Sequence, residues 1–181
     1  ACGAKDAGAV GATVKASMVV ALSGGLLGAG LMMATLLILP LVGQPPDVLE
    51  VIGPYWIAMS FVLVPFAMFF ALKGLFDATD RPWLGVVFAF VGVVVNVPLN
   101  WLFIYGFGDW DGLGLLGAGL ASLLAQSVAL AVGVAYWQLS ETLAAYRSTV
   151  PVRRADIGVQ WREGVPLALG YAGEGGAVAV A

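Results

Sequence analysis

The chain has 181 residues, of which 61% are hydrophobic and only 10% charged, against about 25% charged in soluble domains. Its net charge of -3 comes without a basic patch, which excludes nucleic acid as a partner, and it has no histidine and one cysteine, Cys2, which excludes an internal disulfide and a Cys/His metal site. Four stretches of 22 or more residues carry no charge at all. A bilayer core of roughly 30 Å needs about 20 apolar helical residues, so each stretch is long enough to cross.

Residues 1–17 are small and mildly polar, with Lys5, Asp6 and Lys15, and read as a loop or surface turn leading into a span. The first span is expected over about 18–42. Its Gly24 and Gly28 form a G-x-x-x-G pair, a spacing that lets a neighbouring helix approach closely. Gly43, Pro45 and Pro46 break the chain before Asp47 and Glu50. The second span is expected over about 51–72, entered at Pro54, Tyr55 and Trp56, with Pro65 inside as a candidate kink. A short loop of mixed charge follows, holding Lys73, Asp77, Asp80 and Arg81.

The third span, about 83–105, lies in a charge-free run from Pro82 to Gly108. Asn96 and Asn100 are four residues apart and share one helix face. Pro98 between them cannot donate to the carbonyl one turn back and is a second candidate kink. Amides and open carbonyls at membrane depth need partners inside the protein or in a wet cavity, so this face should point into a bundle or a pathway.

The loop 106–114 is rich in glycine, with Asp109 and Asp111. The fourth span, about 115–139, repeats Ala121, Ala125, Ala129 and Gly133 every fourth residue, a smooth face for close packing. Gln126, near its middle, reads either as a helix–helix hydrogen bond or as a cavity liner. Tyr136 and Trp137 should mark the interface.

Residues 138–163 form the longest polar connection, in which ETLAAYRS is a candidate surface helix. A partial fifth span should begin near Gly164 and occupy 164–181. Glu174 falls about ten residues into it, where a carboxylate is costly and reads as a binder of a proton, a cation or a cationic substrate. Both ends of the chain read as cuts, as in an internal fragment of a longer membrane protein.

Lys and Arg number 2, 0, 2, 0 and 4 through the successive connections. This alternation places residues 1–17, 73–81 and 138–163 in the cytoplasm, by the positive-inside rule. The fold class expected is an all-α polytopic membrane protein.

The stretch VVVNVPLNWLFIYGFGDWDGLGLLGAGLASLLAQ resembles the multidrug and toxic compound extrusion (MATE) family, and GVPLALGYAGE resembles the start of the helix that opens its second half. CGAKD and LKGLFDATDRP look like two of its helix connections, and Pro166 followed by Glu174 resembles the NorM-like branch. The resemblance implies a fragment of a twelve-helix, two-lobe transporter, from the end of helix 2 to the middle of helix 7. Residues 1–140 would belong to the N-lobe, 141–163 to the cytoplasmic inter-lobe connection and 164–181 to the start of the C-lobe. It implies a secondary antiporter, not an enzyme, exporting cationic or amphipathic organic compounds or drugs in exchange for Na+ or H+. No cofactor beyond the coupling ion and no metal beyond a Na+ site are implied. The full-length protein would be monomeric, in contact with lipid in a bacterial inner membrane. Asn96 and Asn100 match the polar positions of helix 5, Ser122 the hydroxyl of helix 6, and Glu174 the helix 7 carboxylate. The alternative is a flippase for a lipid-linked intermediate, from a related exporter superfamily.

Overall fold

The computed structural model describes residues 7–147, 152 and 154–166. Every regular element among them is helical: α1 (Ala7–Ala34), α2 (Pro46–Ala78), α3 (Pro82–Tyr105), α4 (Leu115–Leu139) and a helix over 154–166, here α5. The first four are long and apolar enough to cross a membrane, α1 together with the 3-10 turns that continue it to Leu41. The fold is an all-α membrane-helix bundle. Residues 167–181, with Glu174, lie outside the described residues.

Helix ends follow from local chemistry. Pro46 and Pro82 stand at the first turns of α2 and α3, where a missing N–H costs nothing. Asp47 adds a favourable negative charge to the first turn of α2. Gly106 (φ +79) stops α3 and Gly114 (φ +55) precedes α4, both in the left-handed region that glycine enters freely.

Several elements differ from the sequence expectation. α1 begins at Ala7, so most of the expected entry loop is helix, and residues 35–42 continue it as two 3-10 turns. The Trp56 indole N–H donates to the Met32 carbonyl and to Thr35 Oγ1, both at 2.9 Å, which fixes this loosened end of α1 to α2. α2 continues to Ala78, so Lys73 and Asp77 are helical and form an i,i+4 ion pair at 2.6 Å. The connection to α3 shrinks to 79–81. There the Arg81 N–H bonds the Phe76 carbonyl at 2.8 Å.

α2 packs between α1 and α4, and α4 packs between α2 and α3. Small residues set the distances. Ala121, Ala125, Ala129 and Gly133 are all buried on α4. A Cβ on Gly92 would touch Ala129 Cβ at 3.2 Å, and one on Gly119 would meet Ala58 Cβ at 2.8 Å. Between α1 and α2 the close contact is at Gly25, where a Cβ would lie 2.8 Å from Val64 Cα. Gly24 and Gly28 meet only side chains at ordinary distance, so the packing pair is Gly25 with buried Ala29, one position on from the expected motif.

The densest core sits where α1 and α3 begin and α2 and α4 end. Phe76, Phe88 and Tyr136 cluster there with ring centroids 5.5 to 6.4 Å apart. Trp137, near the end of α4, is buried in this core. ETLAAY is a 3-10 segment, Glu141–Tyr146, whose Leu143 is fully buried under the bundle. Burying that side chain contributes about 2 kcal/mol.

Candidate functional site: a neutral polar groove between three helices

α2, α3 and α4 leave a groove of about 310 Å³ that no residue of α1 lines. Its walls are Val62 and Phe66 from α2, Gly92, Val93 and Asn96 from α3, and Ser122, Ala125 and Gln126 from α4. Gly92 and Ala125 face each other here because both are small. Their lack of bulk brings the neighbouring polar side chains of α3 and α4 to one opening.

Three of the residues singled out in the sequence, Asn96, Ser122 and Gln126, line this groove. Asn100 does not line it but reaches it indirectly: its Nδ2 donates to Asn96 Oδ1 at 2.7 Å. Both asparagines are half-buried, while Val93, Val94 and Val97 on the adjoining face are exposed. The Ser122 hydroxyl donates to the Ala118 carbonyl at 2.9 Å, which leaves its oxygen lone pairs to the groove. Gln126 makes no hydrogen bond among the described residues and lines the groove.

Pro98 is exposed on α3 and Pro65 is buried in α2; both helices run on through them. Phe66, which walls the groove beside Asn96, carried no signal in the sequence, since one phenylalanine in an apolar span looks like any other.

The groove is electrically neutral: no charged side chain lines it among the described residues. Its amide and hydroxyl oxygens are hard donors of the kind that replace the water of a small cation. The aromatic and aliphatic walls suit an organic guest. A bound positive charge would still need a carboxylate from elsewhere to balance it. Among the described residues no cluster of three or more acids, cysteines or histidines could hold a metal ion.

The MatE family model matches residues 1–102. A probable multidrug resistance protein NorM of Acinetobacter baylyi is 31% identical over 133 residues, 74% of this chain and 27% of the relative. Another from Pseudomonas aeruginosa is 31% identical over 159 residues, 86% of this chain and 33% of the relative. The multidrug resistance protein NorM of Vibrio parahaemolyticus is 30% identical over 127 residues, 63% of this chain and 28% of the relative. The chain thus spans about a quarter to a third of the length of these curated relatives.

Proposed function

The chain belongs to the MatE family, whose members are transporters and not enzymes, and on that premise we propose that it is part of a secondary antiporter. The transporter exports cationic or amphipathic organic compounds in exchange for Na+ or H+. The observation that supports this reading is the convergence of Asn96, Ser122 and Gln126 on one groove. Polar side chains at membrane depth are costly unless they pair or face a bundle interior or a wet cavity.

In this account the groove oxygens hold the coupling cation or a proton-bearing water. Asn100 orients the Asn96 amide through their hydrogen bond. Glu174, matched by resemblance to the helix 7 carboxylate of the C-lobe, is a separate binder of the cation or proton. Binding shifts the population between two packings of the full bundle, and so resets affinity for the exported compound. Pro65 and Pro98 are the points where α2 and α3 bend, because each removes one helical hydrogen bond. The protein sits in a bacterial inner membrane, with the ends near Lys73, Arg81 and Arg147 facing the cytoplasm.

The test is Glu174→Gln in the full-length parent, with expression verified. The expected result is loss of ion-coupled efflux from vesicles. Unchanged efflux with unchanged coupling contradicts the assigned role.

A further inference from the structure

A second cavity, of about 610 Å³, lies between α1, α2 and α5. It shares no lining residue with the groove of Asn96. Phe70 of α2 and Trp161 of α5 are its aromatic walls. The Trp161 ring stands over Gly24, where an added Cβ would meet it at 3.8 Å.

The polar groups of this cavity are Ser17 and Gln160. Hydroxyls on α1 otherwise turn back onto their own helix: Thr13 bonds the Ala9 carbonyl and Ser23 the Val19 carbonyl, each at 2.9 Å. The equivalent acceptor for Ser17 is the Thr13 carbonyl. Gln160 Nε2 donates to that carbonyl at 3.2 Å. The Ser17 hydroxyl itself makes no hydrogen bond among the described residues and is left to the cavity.

Volume, aromatic walls and a few convergent polar groups are the attributes of a small-molecule site. No charged side chain lines it among the described residues, and a full charge buried there would be costly. We propose that this cavity binds an uncharged planar aromatic compound, held between Phe70 and Trp161 and hydrogen-bonded to the Ser17 hydroxyl. Phe70 packs on Phe66, with ring centroids 4.9 Å apart and planes tilted by 52°. Phe66 walls the Asn96 groove, so one aromatic pair on α2 separates the two sites.

The experiment uses the full-length parent in detergent and the neutral probe N-phenyl-1-naphthylamine. Probe fluorescence titrated into the unsubstituted protein should rise saturably. Ala67→Leu, which narrows the cavity, should weaken the saturable component about tenfold, and Ser17→Ala about fivefold, the worth of one hydrogen bond. Ethidium, a planar cation, should not compete for it. In a variant with Ala21→Cys as sole cysteine, saturating probe should slow maleimide labelling of the thiol about tenfold, as a mostly occupied site requires. A rise that never saturates, or a saturable rise that both Ala67→Leu and Ser17→Ala leave unchanged in folded protein, overturns the proposal. Neither readout needs an ion gradient, so failure here leaves the transport reading standing.

Discussion

Asn100 Nδ2 lies 2.7 Å from Asn96 Oδ1, one turn along the same face of α3, and only Asn96 reaches the groove. The two asparagines therefore act as a unit, with Asn100 holding the orientation of Asn96. Asn100→Leu removes the donor and frees the Asn96 amide to turn. Its cost in stability should be small, about 0.2–0.5 kcal/mol, as is usual for an i,i+4 side-chain pair on one helix. Its cost in efflux should approach that of Asn96→Leu. Efflux assays on both single variants and the double variant check this: the double variant should be no worse than the poorer single one.

Gly25 and Gly24 are neighbours with opposite tolerance. A Cβ at Gly25 would press on Val64 Cα at 2.8 Å, and backbone cannot step aside as a side chain can. Gly25→Val should cost about 1–3 kcal/mol by overpacking. Gly24→Ala, with its nearest neighbour at 3.8 Å, should be neutral or slightly stabilising through helix propensity. Thermal unfolding of the two variants in detergent distinguishes them.

Gly112 holds the turn between α3 and α4 at φ +75, and a Cβ there would sit 2.5 Å from the Gly106 nitrogen. The turn hangs on the Leu113 N–H to Phe103 carbonyl bond at 2.7 Å and a paired Phe107–Trp110 bridge. Gly112→Ala should cost at least about 1–2 kcal/mol in backbone strain alone. Gly108, also at positive φ but with no atom within 4 Å of a Cβ, should lose less on the same change. Comparing the two melting temperatures checks it.

Arg147 closes the far end of α4. Its Nε donates to the Trp137 carbonyl at 2.9 Å and its Nη2 to the Ser140 carbonyl. These serve carbonyls that a helix end otherwise leaves open. Nearby, Arg81 bonds Thr142 Oγ1 at 2.7 Å, tying the α2–α3 turn to the segment that carries Leu143. Arg147→Met should destabilise by about 1–3 kcal/mol, and Leu143→Ala by about 2–5 kcal/mol. Thermal unfolding measures both.

The face of α4 was legible in the sequence because Ala121, Ala125, Ala129 and Gly133 repeat at helical spacing among larger residues. The face of α1 was not. From Met18 onward that helix carries no polar side chain but Ser23, so nothing in its pattern fixes which side meets α2, and a one-residue error from Gly24 to Gly25 turns the face by about 100°. Trp137 read as an interface residue from its place at the end of a span. Its burial was not legible there, because the chain folds back as a 3-10 turn and lays Leu143 over that end, a tertiary event no local pattern announces. Asn96 and Asn100 were legible as a pair from spacing alone, whereas Phe66 and the cavity under Trp161 depend on how three helices meet.

The most direct test of the antiport reading is ethidium efflux from vesicles holding the full-length parent, driven by a Na+ gradient alone and then by a pH gradient alone. The account predicts efflux under at least one gradient, and its loss in that same condition on Asn96→Leu. Efflux that proceeds equally with both gradients collapsed, or that Asn96→Leu leaves untouched, would contradict it.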